Sequence, residues 1–303
     1  MKSALVLQQR VRRDIQARTD KILRELGNPE PPLRLEDVRE LLRLDRDYFT
    51  GDSDGILRAM VSKLKRGGMQ ILERPMLLFE AVEKFDLRAL YFPDRRRIMI
   101  DDSIPKPKHR WLEAHEIGHD LLPWHHDMLL GDDSVTPTPS THDKMEAEAN
   151  YAAGSLIFLG DHFREECRQS RASLHNAQML QKRYGNTITT TFWRMIEYVG
   201  EELPIIGAIG RHPGDSNDGP CFRHLIPSPA FNQQFDAPDL EELILSIRSY
   251  CRLNGRGHLG CGEIVLRDRA THPHAFDFET FYNGYDALTL GVHRCALAVV
   301  VAA

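Results

Sequence analysis

The sequence predicts an α+β protein, with helices in its first two thirds and short strands in its last third. Up to about residue 200, apolar residues recur mostly at helical spacing, which is typical of amphipathic helices that bury one face. Two short β-prone runs at residues 87–92 and 97–101 interrupt this pattern and predict a hairpin. From about residue 204, short strand-like runs and turns dominate. We therefore expect a mostly helical core with a small β-hairpin or sheet, followed by a C-terminal α/β region.

The helical spacing, with glycine and proline as helix ends, predicts the individual elements in chain order. Gly27 follows the first helix, and Pro123 stops the helix that begins near residue 108. The predicted helices cover residues 7–26, 33–44, 56–66, 76–85, 108–122, 144–159, 161–168, 172–184, 190–199 and 238–253. The predicted later strands cover residues 204–210, 262–266, 275–281 and 287–301.

Composition excludes several classes of protein. The chain has 303 residues, of which 42% are hydrophobic and 27% charged, as in an ordinary globular protein. Its net charge of −5 gives no overall basic field for nucleic acid. No apolar run approaches the roughly 20 residues that cross a bilayer, and the N-terminus lacks the apolar core of a signal peptide. Five cysteines without a CxxC pair do not form a disulfide framework, so we expect a cytoplasmic protein with free thiols.

The segment HEIGH at residues 115–119 is the most informative motif in the chain. On a helix, positions i and i+4 face nearly the same way, so His115 and His119 can place two imidazoles on one divalent ion. Glu116 flanks that face and can act as a general base towards a water molecule. Ala114 and Ile117 belong to an apolar stripe that would bury the back of the same helix. The pattern predicts a catalytic metal site.

A catalytic zinc site needs a third protein ligand, and two candidates compete. His125 has the spacing of a third histidine in HExxHxxGxxH, but Leu122 stands in place of the glycine that would turn the chain back. Glu146 lies on a later predicted helix and shares a face with Asn150, which could hydrogen-bond a ligand or Glu146 itself. Glu148 points away by about 200°. We expect Glu146 to be the third ligand, and His125 and Glu148 to be solvated.

Two runs of the sequence resemble the ImmA/IrrE family of metallopeptidases. These are RIMI at residues 97–100 with HRWLEAHEIGH at 109–119, and EAEANYAAGSLI at 146–157. The resemblance covers roughly residues 15–200 and implies that His115, His119 and Glu146 bind zinc and that Glu116 is the catalytic base. Ala152 stands where the family usually has phenylalanine, and Phe158 where it has proline. These departures affect packing more than metal chemistry.

The resemblance also implies a domain organisation and a function. It implies a zincin-like metallopeptidase domain at residues 1–160. The change to strands and turns predicts a boundary near residues 200–215, with a helix-turn-helix-like segment at 161–203 and a C-terminal α/β regulatory domain at 204–303, for which the resemblance implies a GAF-like sensor. The implied activity is a zinc-dependent endopeptidase that cleaves a helix-turn-helix repressor and so releases stress-response or mobile-element genes. Manganese or iron could replace zinc at such a site. The alternatives are a non-catalytic metal-binding regulator of a repressor or DNA, and a peptidase acting on an antitoxin.

Two weaker signals remain. Residues 176–198 have the pattern of a helix-turn-helix, with Lys182, Arg183 and Arg194 as candidate phosphate contacts. The second helix is too apolar for a base-reading face, so DNA contact is not favoured. The C-terminal histidines and cysteines lack the spacing of a second zinc site. We expect these cysteines to be buried free thiols.

Overall fold

The structure is a computed structural model that describes residues 7–49, 89–125, 139–215 and 221–294. The described residues form two compact units, one up to Gly160 and one from Asp161 onwards. Helices and two separate sheets confirm the predicted α+β class. The predicted helices at 56–66 and 76–85 lie outside the described residues, as does the part of the last predicted strand beyond residue 294. Among the described helices, none is long and apolar enough to cross a membrane.

The first unit contains four longer helices and a three-stranded sheet, and residues 123–125 are the described part of a further helix. In chain order these are α1 Gln9–Glu25, α2 Leu35–Leu42, β1 Asp45–Phe49, β2 Ala89–Phe92, β3 Arg97–Asp101, α3 Lys106–Leu121 and α4 Pro139–Ile157. The helix α3 begins two residues earlier than predicted. Pro107 lies in its first turn, where a missing N–H costs nothing, rather than breaking the chain before it.

The small sheet has the order β1–β3–β2. The predicted hairpin is confirmed, since β2 and β3 pair antiparallel around a 3-10 turn, Pro93–Arg95. The parallel strand β1 was not predicted, because its sequence DRDYF shows no apolar alternation. Its acidic residues Asp45 and Asp47 instead pair with Arg97 of the neighbouring strand.

The second unit contains a five-stranded antiparallel sheet. Its elements are α5 Asp161–Arg168, α6 Leu174–Tyr184, α7 Ile188–Val199, β4 Ile205–Gly210, β5 Phe222–Pro227, α8 Pro229–Gln234, α9 Leu240–Tyr250, β6 Gly257–Arg267, β7 Pro273–Tyr282 and β8 Ala287–His293. The strand order is β5–β4–β8–β7–β6. The strand β5 and the helix α8 were not predicted. One core cluster of the unit joins α8 and α9 to the sheet through Phe231, Phe235, Ile247 and Phe276.

The helix-turn-helix pattern does form two helices, α6 and α7, joined at Gly185, but the second helix packs on the sheet. Phe192 and Ile196 of α7 are fully buried, and Gly207 of β4 lets their side chains approach the strand backbone closely. Arg194 is only 5% exposed, forms an ion pair with Glu197 and is not available to a phosphate group. In this arrangement α7 has no free base-reading face.

Candidate metal centre

The helix α3 brings His115 and His119 together as their spacing predicts. Their Nε2 atoms lie 3.2 Å apart, and both rings are largely buried. The helix is held in place because Ala114 and Ile117 are fully buried in the first unit. Two imidazole nitrogens are therefore fixed side by side on one face of the helix.

Glu146 of α4 completes a group of three converging side chains. Its Oε2 lies 3.2 Å from Nε2 of His115, and its Oε1 lies 3.5 Å from Nε2 of His119. Asn150, one turn further along α4, places its Oδ1 3.0 Å from Nδ1 of His115. In the described part of the chain, His115, His119 and Glu146 form the one group of three histidine, cysteine or acidic residues arranged to hold a metal ion.

The close approach of α3 and α4 depends on Gly118. A Cβ atom at Gly118 would lie 2.7 Å from the carbonyl oxygen of Ala149, well inside van der Waals contact. The backbones of α3 and α4 are therefore in close contact at Gly118 and Ala149. This glycine sits within the HEIGH motif, between the two histidines.

The ring nitrogens that face away from the centre have partners of their own. Nδ1 of His119 lies 2.9 Å from Nδ1 of His125, and Nε2 of His125 lies 3.1 Å from Oε2 of Glu148. The same carboxylate oxygen accepts a hydrogen bond from Nε1 of Trp124 at 2.6 Å. His125 is 0% exposed and the Glu148 side chain is 15% exposed, so the interpretation of both as solvated residues was wrong.

The donor set fits a tetrahedral ion such as zinc. Because the outward Nδ1 of His115 faces the side-chain oxygen of Asn150, the neutral, metal-binding form of this ring would carry its hydrogen on Nδ1 and leave the lone pair of Nε2 for the ion. Ligand atoms about 2.0–2.1 Å from a tetrahedral zinc lie about 3.4 Å from one another. The two Nε2 atoms lie 3.2 Å apart, close to that edge length, and one carboxylate oxygen of Glu146 lies 3.2 Å from His115 while the other lies 3.5 Å from His119. Nitrogen and carboxylate ligands also suit manganese and iron.

The charges of the cluster favour a cation at its centre. Burial raises the pKa of Glu146, but hydrogen bonds from His115 and His119 lower it by more, so that it lies well below its usual range. Burial lowers the pKa of His115, yet Glu146 and Glu116 outweigh this and hold it above its ordinary value. The cluster thus keeps an anionic carboxylate and attracts a positive charge.

Glu116 lies beside this group in a buried position. The residue is 6% exposed. Burial and the nearby negative charge of Glu146 raise the pKa of its carboxyl group, and the charges of His115 and His119 lower that pKa by less. The net shift is upward. A buried carboxylate with a raised pKa accepts a proton more readily than an exposed one, which suits a general base.

Two further acidic residues of α3 anchor the helix, and sequence reasoning missed both. Glu113 accepts hydrogen bonds from Arg39 at 2.6 Å and Arg46 at 2.7 Å. Asp120 is bonded to Arg96 and to the hydroxyl of Tyr91. Nothing in the local sequence identifies these partners, because they lie between 24 and 74 positions away.

The cysteines and histidines of the second unit do not form a chelating group among the described residues. Cys167, Cys221, Cys251 and Cys261 are free thiols, as expected, but of the described C-terminal ones only Cys251 is buried, since Cys221 is half-buried and Cys261 is exposed. Cys295 lies outside the described residues. His274 instead hydrogen-bonds Asp268 at 3.1 Å on one side and His293 at 3.2 Å on the other.

Comparison with known proteins finds one matching family model and a solved structure of similar fold. Residues 68–191 match the family model Peptidase_M78, described as an IrrE N-terminal-like domain, which confirms the resemblance inferred from the sequence. A solved structure described as a Mycobacterium tuberculosis transcriptional regulator is similar to this chain at a TM-score of 0.53 and 12% identity, covering 94% of this chain and 90% of that one. At this identity the likeness shows the fold alone. No curated protein matches.

Proposed function

We propose that this chain, which carries an IrrE N-terminal-like domain of the Peptidase_M78 family at residues 68–191, is a metal-dependent endopeptidase. In this proposal His115, His119 and Glu146 hold a divalent ion, zinc in the first instance, and Glu116 is the catalytic base. The observation that carries it is the convergence of His115, His119 and Glu146, one ligand atom of each lying within 4.8 Å of the others, beside a buried carboxylate.

The residues of the site divide the work of peptide hydrolysis between them. When bound, zinc lowers the pKa of a water molecule from about 15.7 to about 7 and polarises a carbonyl group. The carboxylate of Glu116 takes a proton from the attacking water and delivers it to the nitrogen of the leaving amine. Asn150 accepts a hydrogen bond from Nδ1 of His115, which leaves Nε2 of that ring free for the metal.

The proposed substrate is a helix-turn-helix transcriptional repressor, whose cleavage would release stress-response or mobile-element genes. The family resemblance supports this substrate, and the fold that the chain shares with a protein described as a transcriptional regulator is consistent with it. Residues 1–160 would be the zincin-like peptidase domain. Residues 161–203 and 204–303 would be a helical segment and a GAF-like regulatory domain, whose antiparallel sheet is covered by helices.

A non-catalytic role is the second candidate. The same three ligands could hold a structural metal in a regulator that binds a repressor or DNA without cutting it. Structural zinc sites normally have four protein ligands, whereas catalytic sites have three and leave one position for water. Since three ligating side chains converge in the described part of the chain, the ligand number favours catalysis.

Replacing Glu116 separates the two functions. The purified full chain loaded with zinc is incubated with a candidate helix-turn-helix repressor, with and without chelator, and products are identified by mass spectrometry. We expect Glu116→Gln to retain zinc but to lose cleavage by at least about 100-fold, the lower range for general-base catalysis. The exposed Glu165 of α5 supplies the control Glu165→Gln. Unchanged cleavage by Glu116→Gln would reject the assigned mechanism.

A further inference from the structure

We propose that His125 is a positioning residue that fixes the ring orientation and tautomer of the metal ligand His119, with Glu148 as its anchor. The inference rests on the proposed metal site. His125 lies just after α3, where the backbone of Leu122 is extended and residues 123–125 begin a further helical turn, with the N–H of His125 bonded to the Leu122 carbonyl at 2.8 Å. This turn places the His125 ring against that of His119, their centroids 4.9 Å apart.

The hydrogen atoms of the two rings can be assigned from their partners. Nε2 of His119 faces His115 and Glu146, so this is the nitrogen that binds the metal and carries no hydrogen. Its Nδ1 therefore carries the hydrogen and donates it to Nδ1 of His125 across 2.9 Å. Nε2 of His125 then carries that ring's hydrogen and donates it to the carboxylate of Glu148 across 3.1 Å. Each bond has one donor and one acceptor.

The far end of this chain of hydrogen bonds is itself fixed. Oε2 of Glu148 also accepts a hydrogen bond from Nε1 of Trp124. The guanidinium carbon of Arg18 lies over the Trp124 ring, 5.3 Å from the ring centroid. His125 is completely buried, and the side chain of Glu148 is 15% exposed. Water therefore cannot easily replace His125 as the partner of His119. A carboxylate linked to a metal-binding histidine also increases the basicity of that ligand.

This arrangement argues against His125 as a third metal ligand, the role that its spacing from His115 suggests. As a third metal ligand, His125 would need a ring nitrogen directed at the ion. Its Nδ1 is directed at the outward nitrogen of His119, and its Nε2 at Glu148. His125 thus acts on the metal through His119, in the way that Asn150 acts through His115. The sequence suggested only the role of Asn150.

Zinc affinity of the full chain, measured by competition with a chromophoric chelator, tests the proposal without any substrate. We expect His125→Phe, which keeps an aromatic ring but removes both nitrogens, to weaken zinc binding about 10- to 100-fold. His125→Gln, whose side-chain oxygen can accept from Nδ1 of His119, should recover part of that loss. The control is His109→Phe, because His109 is also a buried histidine of α3 but bonds the carbonyl of Ile104. Thermal unfolding without metal is measured for all three variants.

Equal zinc affinity in His125→Phe and His109→Phe would overturn the proposal. A second measurement needs no variant: nitrogen-15 NMR of the zinc-loaded wild-type chain should show the hydrogen of His119 on Nδ1 and that of His125 on Nε2. The opposite assignment would also overturn it. These outcomes are distinct from failure of the proposed function, in which the wild type binds zinc with these tautomers but cleaves no repressor.

Discussion

Gly118 of α3 lies directly against Ala149 of α4, so closely that a Cβ atom on the glycine would be 2.7 Å from the alanine carbonyl oxygen. His115 and His119 flank this contact on one helix, and Glu146 and Asn150 flank it on the other. The distance between the two helices, and hence between imidazole and carboxylate, depends on the absence of a side chain at one position.

Gly118→Ala should therefore separate the helices. In an ordinary exposed helix this substitution stabilises by about 1 kcal/mol, but here the added methyl group meets backbone. Overpacking of this kind typically costs about 1–3 kcal/mol. We expect a lower free energy of unfolding in urea and weaker zinc binding at the displaced Glu146. A variant more stable than wild type would contradict the close packing.

The affinity for zinc should depend on pH because a proton and the metal compete for His115. Glu146 and Glu116 hold the pKa of this imidazole above its ordinary value, against the lowering effect of burial. The ring must be neutral to bind a metal, so zinc affinity should fall as pH drops below that raised pKa and level off above it. Calorimetry in buffers of different ionisation enthalpy should show proton release. Affinity that is constant from about pH 5 to 9 would be inconsistent with this competition.

Glu113 should contribute to stability rather than to chemistry. Its side chain is 4% exposed and joins Arg39 and Arg46 to α3. Removing one partner of a buried ion pair leaves an unpaired charge and lowers the free energy of unfolding by about 3–5 kcal/mol. Because both arginines are partly exposed, we expect Glu113→Gln to lower it by about 3 kcal/mol. Urea unfolding measures this loss. If cleavage per folded molecule fell as strongly as in Glu116→Gln, Glu113 would have a role in catalysis instead.

The cysteines should differ sharply in reactivity. Burial, with a contribution from Glu166, raises the pKa of the Cys167 thiol to about 12, and the side chain is 1% exposed. The thiolate is the reactive form, so Cys167 should resist iodoacetamide at neutral pH while the exposed Cys261 is alkylated. Peptide mass spectrometry of the native protein resolves the two sites. Rapid labelling of Cys167 in the folded chain would argue against its burial.

The sequence predicted those features whose cause is local. Helical periodicity places His115 and His119 on one face, and the same argument groups Glu146 with Asn150 while directing Glu148 away. The role of His125 could not be predicted, because it depends on the break in the helix at Leu122 and on the helical turn that begins at residue 123.

Long-range pairing accounts for most of the remaining differences. The strand β1 is held by its register with β3 and by arginine–aspartate pairs rather than by an apolar face. The helix α7 has the pattern of a recognition helix, but its apolar residues are used to cover β4. In both cases the element that fixes the structure, β3 for the strand β1 and β4 for the helix α7, cannot be identified from the neighbouring sequence.

The central claim is that two histidines of α3 and one glutamate of α4 bind a single divalent ion. Anomalous X-ray diffraction from crystals of the zinc-loaded chain tests this claim most directly. One peak is expected within about 2.0–2.2 Å of Nε2 of His115, Nε2 of His119 and a carboxylate oxygen of Glu146. The peak should be lost or strongly weakened in Glu146→Ala. A zinc peak bound elsewhere, or one that is unchanged in Glu146→Ala, would contradict the assignment.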